Sequence, residues 1–257
     1  MDGKVAFVSG AAGGIGAAIV RALGERGAVV AAVDRDADEL ALTTEKMTGD
    51  GLHVESFVAD VGSENQIEDV VGAIEHRLGP IEFVVNAAGV LRLGEIATFD
   101  HEDWTDTFMT NTTGVFIVSQ AVIRRMIPRS RGAIVTVASN AAGTPRATMA
   151  AYSASKAAAT MFTKCLGLEV AKYGIRCNVV APGSTDTPML SSMWQDESGP
   201  RATIEGDPET HRVGIPLRKL AQPRDIAEAV VFLLDDRAAH ITMHSLTVDG
   251  GASLGVC

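Results

Sequence analysis

Cysteine is scarce and badly placed for pairing. The 257-residue chain has three, Cys165, Cys177 and Cys257, an odd number with no CxxC pair among them. That argues against a disulfide framework or a zinc site and fits a reducing compartment. Long hydrophobic runs are missing as well: no apolar stretch approaches the roughly 20 residues of a membrane-spanning helix. Positive charge is in deficit. Against 32 aspartates and glutamates stand 22 lysines and arginines, a formal net charge of −10 at pH 7. Such a surface repels nucleic acid and anionic membrane, so neither is expected as a partner. The six histidines (His53, His76, His101, His211, His240 and His244) form no cluster in sequence. His240 and His244 have helix-like spacing but flank the start of a strand pattern, so no catalytic metal is expected. No linker, repeat or low-complexity tract is visible. An apolar strand pattern begins at Val5, so no signal peptide is expected and a cytoplasmic location is.

What is there suffices for a large core: 46% of residues are hydrophobic and 21% charged. Short apolar runs alternate with longer helical patterns. Strands are expected over 5–9, 28–33, 53–59, 81–85, 133–138, 176–180 and 245–248. A first helix carries Ile15, Ile19 and Leu23 on one face and ends near Gly27; others are expected over 37–47, 102–127, 151–173 and 223–234. Ser63 and Gln66 have capping-box spacing ahead of a face formed by Ile67, Val70, Val71, Ile74 and Leu78. Strands alternating with helices predict an α/β fold over 1–257: a single-domain, Rossmann-like, doubly wound parallel sheet of about seven strands with helices on both faces. The irregular segment 184–212 is too long for an ordinary connection and is expected to be a substrate lid. Its Met189, Met193 and Trp194 could close over a ring, or serve as core or subunit contacts.

Ser9-Gly-Ala-Ala-Gly-Gly-Ile-Gly16 lies between the first strand and the first helix. Gly10, Gly14 and Gly16, with Ile15 between the last two, let the backbone turn tightly and approach a pyrophosphate at a helix N-terminus. Asp34 closes the second strand pattern. A carboxylate there can accept hydrogen bonds from an adenosine ribose and would repel a 2′-phosphate, so NAD rather than NADP is the expected cofactor. Arg35 could shield a phosphate, and Asp34 could instead cap the next helix. Asp60 and Val61, after the third strand, could hold the adenine edge, or form a simple turn.

Tyr152 and Lys156 are four residues apart on an expected helix, hence on one face. Ser139 ends the preceding strand. Together with the glycine-rich turn, Asn86-Ala-Ala-Gly89, Asn111 and Pro182-Gly183, these residues resemble the short-chain dehydrogenase/reductase family, in order and over almost the whole chain. A free tyrosine titrates near ~10. A neighbouring Lys156 ammonium and an oxidised nicotinamide would favour the phenolate. Tyr152 could then take the alcohol proton as hydride leaves the same carbon, with Ser139 holding the reacting oxygen. The resemblance further implies that Lys156 holds the nicotinamide ribose, that Asn111 supports a water relay, and that Asn86, Gly89, Pro182, Thr185 and Thr187 border the cofactor. It also implies a homotetramer with the 151–173 helix at an interface.

Within the family, stretches such as Thr144-Pro-Arg146, Gly214-Ile-Pro-Leu217 and Ser245-Leu-Thr-Val-Asp-Gly-Gly251 resemble the branch that oxidises the C3 alcohol of 2,3-dihydro-2,3-dihydroxybenzoate, a cyclohexadiene carboxylate, during catechol siderophore synthesis. The ketone so formed tautomerises to an aromatic ring. Arg146, between Ser139 and Tyr152, suits an anionic substrate, because a guanidinium can grip a carboxylate with two hydrogen bonds. It could also be a solvated loop residue. Arg92 is a second carboxylate candidate. Asn140 and Gly143 stand where that branch more often has Asp and His. This keeps 2,3-dihydro-3-hydroxyanthranilate open as an alternative substrate, with 3-hydroxyanthranilate, an antibiotic precursor, as product. A 3-oxoacyl carrier-protein reductase using NADPH is disfavoured by Asp34. A non-catalytic dinucleotide sensor is disfavoured by the presence of both Tyr152 and Lys156.

Overall fold

Strand β1 (Val5–Ser9) is buried along its whole length, as an interior parallel strand covered on both faces must be. In the computed structural model, which describes residues 1–194 and 196–255, it sits near the middle of a seven-stranded parallel sheet. The other strands are β2 (Val29–Asp34), β3 (Val54–Val58), β4 (Ile81–Asn86), β5 (Gly132–Val137), β6 (Ile175–Pro182) and β7 (Ser245–Val248). Their spatial order is β3-β2-β1-β4-β5-β6-β7, with every pairing parallel. Ser9 pairs with Val33 on one side and with Asn86 on the other. Strand order therefore reverses between β1 and β4, and an open parallel sheet binds its ligands at the carboxyl ends of the strands around such a reversal.

Alternate residues of β1 feed two separate cores, the period-two consequence of the pleat. Ala6 and Val8 pack with α1 (Gly14–Gly24), α2 (Ala37–Gly49) and α9 (Pro223–Leu234), through side chains that include Ile19, Leu23, Leu40, Ile226 and Val230. Val5 and Phe7 pack on the opposite face with α3 (Glu64–Arg77), α5 (Gly114–Arg129) and the end of α6 (Ala150–Val170), through Ile67, Ile74, Val122, Met126 and Val170. This is the doubly wound sheet expected from the alternating pattern.

Three local expectations fail for physical reasons. The Gln66 side chain does not complete a capping box with Ser63. Its Oε1 accepts from the Asp60 N–H at 2.9 Å, and Ser63 makes no capping bond. The pattern over 102–127 is not one helix. A short α4 (His101–Phe108) is followed by a π-helical turn, Met109–Thr113, before α5 begins. A Cβ on Gly114 would lie 2.6 Å from Val61 Cγ2, so α5 starts on glycine to pass the turn after β3. Finally, 184–212 is only partly irregular. It contains α7 (Pro188–Ser191), α8 (Gly199–Glu205) and a turn closed by Asp207 and Arg212. Among the described residues, no helix is long and apolar enough to cross a membrane, and no three His, Cys, Asp or Glu side chains group as a metal site. Cys165 is exposed and Cys177 buried, both free; Cys257 lies outside the described residues.

Candidate active site

A cavity of about 510 Å³ opens at the carboxyl ends of the strands. At its centre is the turn after β1. Gly10 has φ +69°, and a Cβ there would lie 2.6 Å from the Ala88 nitrogen, so only glycine fits against the turn after β4. On Gly16 a Cβ would meet the Gly10 carbonyl oxygen at 1.9 Å, and on Gly14 it would meet Thr187 Cγ2 at 2.7 Å. The three glycines thus bring the backbone of the β1, β4 and β6 turns together. No side chain caps α1, and its first turn carries no acid. Gly13, Gly14 and Ile15 present its N-terminus to the cavity, where aligned N–H groups favour phosphate oxygens.

One end of the cavity is acidic. Asp34, Asp36, Glu39 and Asp60 line it, with Arg35 beside them and Val61 covering the turn. Asp34 does not cap α2; Asp36 does, by accepting from the Glu39 N–H at 3.1 Å. The Asp34 carboxylate is instead held by the Ala12 and Asp36 N–H groups, each at 3.1 Å, one on each oxygen. Held this way, both oxygens keep acceptor capacity for ribose hydroxyls. Asp60 turns one oxygen inward to the Gly62 N–H at 2.8 Å.

The other end is basic and holds Ser139, Tyr152, Lys156, Arg146 and Arg212. Ser139 Oγ accepts from the Ala141 N–H at 3.1 Å, which fixes the oxygen and leaves its proton to donate. The hydroxyl also hydrogen-bonds the Tyr152 phenol, which draws that group's pKa down. Burial acts more strongly and pushes the phenol up from its ordinary value. Lys156 Nζ lies 5.9 Å from the centre of the Tyr152 ring and donates to the Val137 carbonyl at 3.0 Å. Burial pulls the Lys156 ammonium down to about 8. Burial thus shifts both side chains toward their neutral forms, which works against the phenolate that Lys156 and an oxidised nicotinamide together are expected to favour.

Of the other sequence candidates, Gly89, Pro182, Thr185 and Thr187 line the cavity. A Cβ on Gly89 would sit 3.1 Å from Lys156 Nζ. Thr187 caps α7 and donates to the Thr185 carbonyl at 3.2 Å. Three candidates do not line the cavity. Asn86 points into the sheet–helix layer, where Nδ2 donates to Ser119 Oγ at 3.1 Å. Strand alternation explains this: Val84 faces α5, so Asn86, two residues on, faces it too. Arg92 pairs with Asp103 at 3.1 Å. Asn111 is fully buried in the π-helical turn. Its Oδ1 accepts from the Val90 N–H at 2.8 Å, and its Nδ2 donates to the Val90 carbonyl at 2.9 Å and to Ser155 Oγ at 3.0 Å. These bonds tie the turn after β4 to α6. Trp194 packs over α8 and donates to Thr203 Oγ1 at 3.2 Å, whereas Met189 and Met193 reach the cavity.

Sequence reasoning missed Arg212. Its only signal was its place at the end of the irregular segment, and nothing in the spacing pairs it with Arg146.

The family model described as short chain dehydrogenase matches residues 4–198. The chain belongs to the short-chain dehydrogenase family. This short-chain dehydrogenase is 54% identical over 256 residues to the 2,3-dihydro-2,3-dihydroxybenzoate dehydrogenase of Bacillus subtilis (strain 168), covering 100% of this chain and 98% of that one. It is 41% identical over 254 residues to the Escherichia coli (strain K12) protein of the same name, covering 99% and 98%. Among solved structures, a gluconate 5-dehydrogenase from Burkholderia cenocepacia J2315 in complex with NADP and tartrate matches with a TM-score of 0.91 at 30% identity, over 100% of this chain and 97% of that one.

Proposed function

We propose that this short-chain dehydrogenase oxidises the C3 alcohol of 2,3-dihydro-2,3-dihydroxybenzoate with NAD, giving 2,3-dihydroxybenzoate. The observation that carries the reading is the polarity of one cavity: carboxylates at the end beyond β2 and β3, and Ser139, Tyr152, Lys156 and unpaired arginines at the end beyond β5. The two relatives at 54% and 41% identity, both named for this reaction, support the substrate. The glycine cradle, which a Cβ would fill, fits a dinucleotide pyrophosphate. Asp34 disfavours the 2′-phosphate of NADP, despite the NADP in the gluconate dehydrogenase structure, because two backbone N–H groups hold its carboxylate in place at the ribose end of the cavity. Asp60, Val61, Gly89, Pro182, Thr185 and Thr187 complete the cofactor walls.

When bound, oxidised NAD supplies a hydride acceptor and a positive charge beside the phenol. Ser139 donates to the substrate oxygen and holds it near Tyr152, and the Tyr152 oxygen accepts the alcohol proton. Lys156, charged in that setting, stabilises the phenolate and hydrogen-bonds the ribose. Segment 184–212 forms the lid, with Met189 and Met193 against the ring. A homotetramer is the assembly we favour, because α5 and α6 leave Phe116, Met161 and Leu168 exposed, at 42%, 59% and 70%.

A second reading rests on Asn140, a neutral amide lining the cavity beside Ser139 and donating to Asp249 at 3.2 Å. It would suit an amine at C2 of the ring, as in 2,3-dihydro-3-hydroxyanthranilate. Incubating the enzyme and NAD with each acid separately, while following NADH absorbance and product fluorescence, decides between them. Faster aromatisation of the dihydroxy acid is expected. Preference for the amino acid would reverse the assignment, and no turnover of either would refute both.

A further inference from the structure

Arg146 and Arg212 reach the same cavity from opposite directions along the chain. Arg146 comes from the loop between Ser139 and α6, and Arg212 from the segment after α8. Eleven other arginines have a carboxylate within ion-pair distance, and Arg176 has three backbone carbonyls. Among the described residues, Arg146, Arg212, Arg35 and Arg218 have neither; of these, Arg35 lies at the acidic end of the cavity beside Asp34, Asp36 and Glu39, and Arg218 does not line it. Yet Arg146 and Arg212 are close enough for the Arg146 charge, after burial, to push the Arg212 guanidinium down from its ordinary value, while Asp207 opposes this. Two like charges brought together at a half-buried wall are unfavourable unless an anion arrives between them.

The fold holds Arg212 in that position. Asp207 and Arg212 exchange backbone hydrogen bonds at 2.8 Å each, closing a tight turn. Glycines fix both flanks. On Gly206, at φ +87°, a Cβ would lie 2.4 Å from the Arg212 carbonyl oxygen, and on Gly214, at φ +76°, it would lie 2.5 Å from the Ile204 carbonyl oxygen. The Ile215 N–H donates to the Ile204 carbonyl at 2.8 Å and anchors the return of the turn to α8. Asp207 spends its carboxylate on its own turn, accepting from the Glu209 N–H at 3.0 Å and from Thr210 Oγ1 at 2.7 Å. The guanidinium is left directed at the cavity without a built-in partner.

We propose that Arg146 and Arg212 form a two-arginine clamp for the ring carboxylate of the substrate, with Arg212 as a specificity-determining residue. This rests on the functional reading above, since it names which groups of the same cavity select an acid over a neutral ring alcohol. A carboxylate has two oxygens and room for both guanidiniums. The clamp gives the acidic protein a cationic wall for a small anion at the end of the cavity away from the glycine turn.

The test uses the full-length enzyme saturated with NAD. Dissociation constants are measured by calorimetry for two probes, 2,3-dihydroxybenzoate and catechol, which differ by the carboxylate alone. Arg212→Gln and Arg146→Gln are each expected to weaken the carboxylated probe about 10- to 100-fold while leaving catechol nearly unchanged. Arg212→Lys should recover part of the loss, which guards against a merely misfolded lid. KM for the dihydro acid should rise in parallel with little change in kcat, and NAD affinity should hold. Equal losses for both probes, weakened NAD binding in Arg212→Gln, or wild-type protein that binds catechol as well as the acid would overturn the clamp. The two readings separate cleanly. Normal turnover with a KM indifferent to Arg212 sinks the clamp and leaves the reaction standing. Arg212-dependent binding of 2,3-dihydroxybenzoate without turnover of its dihydro precursor does the reverse.

Discussion

Burial displaces the titrations of Tyr152 and Lys156 in opposite directions, and that has a consequence for stability. Lys156 titrates at about 8 in the folded protein against an ordinary 10.5. Between those values the unfolded chain binds a proton that the folded chain does not, so stability rises with pH across that window. Below it, the folded protein carries the cost of a buried ammonium, on the order of 3 kcal/mol. Lys156→Met should therefore be more stable than wild type at pH 7 without cofactor, by about 1–3 kcal/mol once the lost bond to the Val137 carbonyl is allowed for. The advantage should shrink by pH 10. Denaturant midpoints at the two pH values check this, and a variant no more stable at pH 7 contradicts it. Above the ordinary tyrosine range, burial of Tyr152 works the other way and lowers stability as pH rises. None of this was readable from the Tyr152-x-x-x-Lys156 spacing. Spacing places two groups on one helical face, but desolvation depends on everything packed around them.

At the scale of elements, period and punctuation carried most of the information. Buried strands such as β1 and β5 are apolar runs bounded by glycine and polar turns, and their ends came within a residue or two. The break at Met109–Thr113 had no such signature, because a π-helical turn adds one residue to a helix without changing its composition. Its purpose is visible only in three dimensions: it turns Asn111 inward to hold both polar groups of Val90 and the Ser155 hydroxyl. Asn111→Ala should cost about 2 kcal/mol of folding stability through those orphaned groups. It should also lower turnover more than it lowers NAD affinity, as α6 and the turn after β4 lose registration. A change below about 0.5 kcal/mol by urea unfolding would show that the turn holds itself, since ordinary surface substitutions reach that size.

Over the whole molecule, net charge and cavity charge point to different functions, and both matter. A formal charge of −10 turns away polyanions, while the local pairing of Arg146 with Arg212 invites a small one. The sequence made the first legible and only half of the second, since Arg212 joins the site by way of α7, α8 and a glycine-flanked turn whose path no pattern encodes. The glycine-rich turn, Asp34, Ser139, Tyr152 and Lys156 were legible because each ends a strand or shares one helical face, and a parallel sheet gathers strand ends by construction. The proposed oxidation depends on the Tyr152 oxygen serving as proton acceptor in that gathered site. The most direct measurement compares wild type with Tyr152→Phe for initial NADH formation from 2,3-dihydro-2,3-dihydroxybenzoate, alongside an NAD titration of each. The expected result is a loss of about 10²- to 10⁴-fold in rate with NAD affinity retained. A phenylalanine variant that turns over at a rate close to wild type would contradict it.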